Sequence, residues 1–434
     1  MDERKKKWGL RLIFISLFLL PAIQVLFIIG CNSNYLIRLP YFIIITIFLF
    51  ALIGMLIYGV RLYVKNRQSN ERKMKKWLKI LLGIFMSIYI LGCLAFTIIL
   101  YGPNENFKDW LVTTAMQTMN HQYLCKWFYN EQMIREVLDN NYVIESGEST
   151  DTTMVVRQDK YRKAAYENEY EKAILDVDDD IKYKIIKFEV NGCSAYLGVV
   201  YDPSMVKLAV TKYKPRRGQY VTDMATDYNA ILAINGGGFY DPGNSSPGGT
   251  PTGITISGGR VLTNGEYGTY NQGGGIIGFT NDDIFVLLKN TTAQQALDMG
   301  VRDAVSWGPF LIVNGEPSFI KGNGGWGYAA RSAIGQRADG IVLLLVVDSN
   351  ATRSRGANMA DLTEIMQNYG AINAANLDGG TSSVMVLPKG LAQSEYNAPC
   401  NDYFTNTHCA INDPIDGDLI HRTRPIADAW VVVE

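Results

Sequence analysis

The stretch Asn376-Leu377-Asp378-Gly379-Gly380-Thr381-Ser382-Ser383 puts one carboxylate on a glycine turn directly after an apolar run. A strand end of this kind presents a reactive group, and its glycines suit positive φ or a ligand lying close to the backbone. An Asp-Gly hairpin is the plainer alternative. Asp348 repeats the pattern after the apolar strand Ile341 to Val347. Upstream of that strand, Arg331-Ser332-Ala333-Ile334-Gly335 supplies a guanidinium whose planar fork suits a phosphate. A further short run, Ile231 to Ile234, ends in Asn235-Gly236-Gly237-Gly238-Phe239-Tyr240-Asp241, where successive backbone N–H groups can face an anion or a sugar. No Walker lysine follows it, which argues against nucleotide binding.

The absences narrow the chemistry. The three histidines, His121, His408 and His421, have no zinc-motif spacing, and the chain contains no Gly-x-Ser-x-Gly elbow. Two-metal cleavage at phosphorus usually employs a His/Asp cluster. Cleavage at a sugar carbon needs chiefly carboxylates, which Asp378 and Asp348 can supply. The sequence calls for no metal and no cofactor.

Positioning comes from the flanking elements. Asn358 can cap a helix with Asp361 at its third position, and Leu362, Ile365, Met366 and Tyr369 then form one apolar face before Gly370 stops it. A short apolar segment, Ala371 to Leu377, leads into Asp378, and Val384 to Leu387 reads as the strand leaving the turn. Ile254 to Leu262 around Gly258-Gly259, and Phe310 to Pro317 around Asn314-Gly315, read as hairpins. β-type runs also occupy Tyr196 to Tyr201 and Val206 to Thr211, on either side of Asp202-Pro203. With few helices among these strands, residues 181–434 read as an α+β domain of mixed sheets.

The amino-terminal part has another character. Three apolar blocks, about 9–29, 40–60 and 78–101, are each long enough to cross a hydrocarbon core. Basic residues crowd the start (Arg4 to Lys7, Arg11) and the second connection (Arg61 to Lys79), whereas the first short loop has only Arg38. The positive-inside rule therefore predicts a multi-pass membrane domain over residues 1–101, with the amino terminus cytoplasmic and everything after Tyr101 extracytoplasmic. Residues 102–180 read as a helical stalk or linker, amphipathic from Phe107 to Asp139, with a further helix near Gln158 to Leu175.

Charge divides along the same line. Residues 1–101 carry 14 Lys+Arg against 3 Asp+Glu, leaving 27 against 39 in the remainder, a split that the net charge of −1 hides. An acidic outer region argues against a nucleic-acid partner. Of the 6 cysteines, Cys31 and Cys93 fall in or beside the membrane blocks, while Cys125, Cys193, Cys400 and Cys409 lie outside, where disulfides persist. Cys400 and Cys409 could close a short loop, though spacing alone leaves the pairing open.

Taken in order, Asn235-Gly236-Gly237-Gly238-Phe239, Trp307-Gly308-Pro309, Arg331 to Gly335, the helix ending Tyr369-Gly370, the Asp378 turn and Arg424-Pro425-Ile426-Ala427 resemble the phosphodiester glycosidase family over about residues 190–434. The resemblance implies hydrolysis of a sugar-1-phosphodiester at its glycosidic bond. The membrane blocks and the stalk lie outside the resemblance and imply a cell-envelope location, with the lipid bilayer as a partner and envelope glycans or exopolysaccharides as the substrate class. The resemblance also implies Asp378 as the catalytic or sugar-orienting carboxylate and Asp348 as a second one. Arg331 would be the phosphate ligand, and Asn235, Gly236, Gly237, Gly379, Gly380, Thr381 and Ser382 would line the pocket. Thr381 departs from the family's usual third glycine, and a β-branched residue at positive φ would be costly. Such a cost would suit a domain that binds without cleaving. A non-catalytic glycan-binding or assembly protein and a phosphodiesterase cutting at phosphorus thus stand as the rival readings.

Overall fold

The computed structural model describes residues 3–32, 35–66, 72–103, 105–117, 122–158, 165–178, 180–241, 247–265, 274–349, 356–398, 400, 407–413 and 423–434. The chain forms two compact units, Met1–Asp139 and Asn140–Glu434.

Three long helices, Glu3–Asn32, Tyr35–Lys65 and Arg72–Tyr101, cover the expected apolar blocks of the first unit. Glycines bring the first two together, since a Cβ on Gly9 would stand 2.7 Å from the Gly59 carbonyl and one on Gly59 2.9 Å from the Gly9 carbonyl. Among the described residues, one stretch is long and apolar enough to cross a membrane, Gly83–Tyr101, with mean hydropathy 2.3. Helices Glu105–Gln117, Gln122–Phe128 and Glu131–Asp139 follow. They share a small core, in which Leu100, Val112, Cys125, Ile134 and Val137 are buried and the Tyr129 hydroxyl donates to the Leu100 carbonyl at 3.0 Å.

The second unit is built in layers. A seven-stranded sheet runs Glu316–Pro317, Phe310–Val313, Ala371–Asn376, Arg331–Arg337, Val342–Val347, Cys193–Val200, Tyr183–Val190. A five-stranded sheet runs His408–Ala410, Met385–Pro388, Leu232–Asn235, Asp428–Val432, Val206–Val210. A second five-stranded sheet contains Arg260–Asn264, Ile254–Ser257, Val301–Trp307, Gly275–Thr280 and Phe285–Leu288. Every pairing within these sheets is antiparallel. Side chains alternate across a strand, and the uniformly apolar run 342–347 follows from that rule because both of its faces are covered. Val342, Leu344 and Val346 meet the other sheets in a shared core with Phe279, Leu232 and Trp430, whereas Leu343, Leu345 and Val347 pack under helices. Those helices are Met359–Asn368 and Glu169–Leu175, and helix Val221–Tyr228 covers the far face of the first five-stranded sheet.

The helix ahead of the Asp378 turn forms as its sequence requires. Asp361 N–H donates to Asn358 Oδ1 at 3.0 Å, Asn358 N–H donates to Asp361 Oδ2 at 2.9 Å, and Gly370 takes φ +80° at the stop. Leu362, Ile365, Met366 and Tyr369 are buried beneath it. Both expected hairpins are present, with Gly258-Gly259 and Asn314-Gly315 at positive φ as such tight turns demand. Around Asp202-Pro203 the chain instead crosses between sheets, turning through Pro203–Met205 with Asp202 Oδ1 accepting from Ser204 N–H at 2.9 Å. A Cys400–Cys409 disulfide is formed, and Cys125 and Cys193 are buried.

The compact unit starts well before residue 181. Strand Tyr142–Ile144 pairs with Phe319–Lys321. Glu145 accepts from the N–H groups of Gly274 at 2.6 Å and Phe310 at 2.8 Å and pairs with Lys289 at 2.7 Å. Leu287 N–H donates to Thr150 Oγ1 at 2.9 Å, and Ile174 and Leu175 are buried in the helix-covered core. A polar composition suggested a linker here, but Glu145 and Thr150 accept from backbone groups of the sheets. Of the expected helix near Gln158 to Leu175, the described residues form only the shorter Glu169–Leu175, and residues 159–164 lie outside the described segments, as do His121 and His421.

Candidate active site

Three neighbouring strands of the seven-stranded sheet end on the same side. Arg331 opens its strand opposite Val347, so Asp348 follows on one flank, and Ala333 faces Asn376, so Asp378 follows on the other. The Asp378 turn is pinned to both sheets. Leu377 N–H donates to the Ser332 carbonyl at 2.8 Å and Gly380 N–H to the Ala330 carbonyl at 2.7 Å, while Asp378 N–H donates to the Gly236 carbonyl at 3.2 Å. Across the join, Asn376 donates from its side chain to Gly308 O at 2.7 Å and from its N–H to Pro309 O at 3.0 Å, which gives the Trp307-Gly308-Pro309 segment a place in the support.

Asp378 itself is half-buried. Loss of water around the carboxyl pushes its pKa up to about 6, against the opposing pull of the Ser382 hydroxyl, Arg424, the Gly379 N–H and Arg331. The Gly379 N–H reaches Oδ1 at 3.0 Å. Arg331 is buried, donating from Nη2 to the carbonyls of Trp326 and Gly327 and from Nε to Ala357 O at 3.4 Å. Its Nη1, on the side of Gly379, has no hydrogen bond among the described residues, and a Cβ on that glycine would lie 3.1 Å from it. Burial draws the guanidinium down to about 10, while the charge on Asp378 resists. Arg424 donates to Asp241 Oδ2 at 2.6 Å and lies over the Phe239 ring at 4.5 Å. Two arginine charges therefore act on one carboxylate.

Asn235 has a supporting position. It is fully buried, donating from Nδ2 to the Asp378 carbonyl at 2.7 Å while Oδ1 accepts from Ser332 Oγ at 2.7 Å and Val384 N–H at 3.2 Å. Its side chain is committed to holding the turn, so it does not line a pocket as expected. Gly236 and Gly237 also turn inward, with N–H groups donating to the Asp428 carbonyl at 3.1 Å and to Asp428 Oδ1 at 2.8 Å. A Cβ on Gly236 would strike the Asp428 carboxylate, and one on Gly238 the Trp307 ring. The glycine run exists for close packing around a buried acid.

That acid was absent from the sequence candidates. Asp428 is 1% exposed, and its Oδ2 has no hydrogen-bond partner among the described residues. Burial pushes its pKa up to about 8, the Gly237 N–H opposing this and the charge of Asp378 adding to it. One signal did exist, since Asp428 is a lone carboxylate opening the otherwise apolar run Ala429 to Val432. Two carboxyls with pKa values near 6 and 8 give, around pH 7, one largely ionised group beside one that keeps its proton.

Asp348 is engaged elsewhere. Its Oδ1 accepts from Asn412 Nδ2 at 2.7 Å and its Oδ2 from Asp413 N–H at 3.1 Å. Asn412 also donates to the Ser383 carbonyl at 3.1 Å and accepts from Met385 N–H at 2.7 Å, so this carboxylate ties residues 412–413 to the segment leaving the Asp378 turn. Burial raises Asp348 to about 6 as well. Thr381 is exposed in the single turn Gly380–Ser382 and has no positive φ; Gly380 takes that conformation, at +61°. The expected backbone cost of Thr381 therefore does not arise.

The family model for phosphodiester glycosidases matches residues 228–433. A prophage-derived uncharacterised protein of Bacillus subtilis (strain 168) is 27% identical over 168 residues, which is 38% of this chain and 25% of that protein. The N-acetylglucosamine-1-phosphodiester alpha-N-acetylglucosaminidase of Bos taurus is 28% identical over 191 residues, covering 41% of this chain and 35% of the bovine protein. The alignments thus span only a quarter to about a third of those relatives' lengths. Among solved structures, the zebrafish catalytic domain of the same-named enzyme, auto-inhibited by its pro-peptide, matches with TM-score 0.45 and 20% identity over 58% of this chain and 83% of its own.

Proposed function

For a chain that carries a phosphodiester glycosidase domain over residues 228–433, we propose hydrolysis of a sugar-1-phosphodiester at the bond between the anomeric carbon and the phosphate oxygen. The observation that carries this reading is the approach of two arginine charges to Asp378 at one strand end. The leaving group is a phosphomonoester, so charge must be neutralised where the phosphate departs. Arg331 Nη1 and Arg424 meet that charge. Ionised Asp378 offsets the positive charge building on the anomeric carbon and takes a proton from the incoming water. Water adds its hydroxyl to the sugar, and its proton ends on the released phosphate. Protonated Asp428, behind Gly237, keeps a second negative charge out of the site, so that Asp378 stays ionised near pH 7 and the anionic phosphodiester is not repelled.

The same proposal places the domain on the outer face of a cell membrane. The Lys/Arg excess at the start and between the second and third apolar blocks, together with the apolar window Gly83–Tyr101, supports a multi-pass anchor with a cytoplasmic amino terminus. Glycosyl phosphodiesters of envelope polymers or exopolysaccharides are then the substrate class.

The test is turnover of a synthetic sugar-1-phosphodiester by the full chain in heavy-oxygen water. Label is expected in the free sugar. Label in phosphate would move the cleavage to phosphorus, and tight binding without turnover would support the non-catalytic rival.

A further inference from the structure

Among the described residues, a cleft of about 580 Å³ is lined by Lys212, Tyr213, Lys214, Pro215, Arg216 and Arg217, four cations in six consecutive residues. The loop is an excursion between two points of contact with the site-bearing segment. Val210 pairs with Asp428 before it, and Gln219 pairs with Ile426 after it. Lys212 is neutralised by Asp227 at 2.8 Å, and Lys214 donates to the Leu262 carbonyl. Arg216 and Arg217 are exposed and form no ion pair among the described residues. Arg217 is stacked 4.0 Å over the Tyr213 ring, which holds its guanidinium in a fixed place.

The cleft is joined to the candidate active site through one intervening segment. Gly218 N–H donates to the Pro247 carbonyl at 2.7 Å, and Tyr240 N–H donates to the Thr250 carbonyl at 2.8 Å. Residues 247–250 thus lie between the cationic loop and the Phe239–Asp241 segment that holds Arg424. In an acidic region the cationic loop is a local reversal of sign, in which Asp227 pairs with Lys212 and no acid pairs with Arg216 or Arg217 among the described residues.

We infer that this cleft binds further phosphates of the same substrate, so that the substrate is a polymer of repeating phosphodiesters and not a single sugar phosphate. The inference rests on the proposed glycosidase reading for its substrate class. A polymer lying across both places presents one phosphodiester to Arg331 and Arg424 and a later one to Arg216 and Arg217. Cleavage of long chains is then favoured over short ones through KM.

The experiment uses the full chain in detergent micelles and the double variant Arg216→Glu, Arg217→Glu. The binding probe is poly(glycerol phosphate) of defined length, which repeats phosphodiesters but has no glycosidic bond to cut, with neutral dextran as control. The variant is expected to bind it at least tenfold more weakly, with a log affinity against log salt slope shallower by roughly one to two. Its turnover of a one-phosphate sugar-1-phosphodiester should change less than twofold. Unchanged polymer affinity overturns the inference, as does an equal loss on the one-phosphate substrate. So does a variant that loses binding to phosphatidylglycerol vesicles while keeping the polymer, since the cations would then serve lipid headgroups. Absence of turnover by the wild type sinks the glycosidase reading, while the polymer arm still decides the cleft.

Discussion

Asp348 and Asp378 begin from the same local design. Each follows a buried strand of one sheet, on either side of the Arg331 strand, and burial raises each to about 6. Their partners separate them. Asp348 has both oxygens occupied by Asn412 and the Asp413 N–H, whereas Asp378 feels two arginine charges and keeps contact with the surface. A carboxylate whose acceptor positions are filled by the fold has been spent on structure. One met by cations that are themselves incompletely paired is available to a ligand.

This contrast can be broken by substitution. Asp378→Ala should lower kcat for sugar release by roughly a thousandfold or more while leaving thermal unfolding within a few degrees; near-normal turnover would remove Asp378 from the mechanism. Asp348→Ala should act the other way round. It leaves the Asp413 N–H and one Asn412 donor without their acceptor, costing about 1–3 kcal/mol in denaturant titration, with kcat reduced less than about fivefold. A larger loss of kcat than of stability would make Asp348 a second reacting carboxylate.

Next in size is the pH profile. Asp378 must lose its proton to act, so kcat/KM should rise through about pH 6, and ionisation of Asp428 should make it fall through about pH 8. Asp428→Asn should remove the alkaline limb and keep the acid one. The stability sign follows from the same raised value. Between the ordinary carboxylate pKa and about 8, folded Asp428 holds a proton that the unfolded chain releases, so its contribution falls as pH rises. The Asn variant should therefore gain in melting temperature over wild type at pH 8, with the gap shrinking towards pH 4. A wild-type profile flat above pH 7 would contradict a titrating Asp428.

Thr381→Gly should do least. Thr381 is exposed without positive φ, so the change should cost no more than about 1 kcal/mol in backbone entropy and alter kcat/KM less than threefold. A large gain in activity would restore the idea that this side chain blocks the pocket.

Much of the scaffold was legible because its signals are local. The Asn358–Asp361 capping box, the apolar helix face ending at Gly370 and the Asn314-Gly315 turn are set by residues within a few positions of one another. Arg331 and Asp378 were legible as strand-end groups, and the structure brings them to one edge. The glycine run after Asn235 was visible but open in meaning, since a glycine that admits a ligand and one that admits a neighbouring carboxylate look alike in sequence. The domain boundary also moved, because Glu145 and Thr150 are polar residues whose partners lie more than a hundred positions away.

The sequence by itself determined the two-part charge division, the strand-end placement of Asp378 and the match of residues 228–433 to the phosphodiester glycosidase family model. Only the tertiary structure decided which acids and bases meet. Asp428 reaches Gly237 across 191 positions, Arg424 reaches Asp241 across 183, and Asn412 reaches Asp348 across 64. Those pairings depend on how antiparallel sheets stack around a common core, and burial there, which no local spacing encodes, sets the charge of each carboxyl.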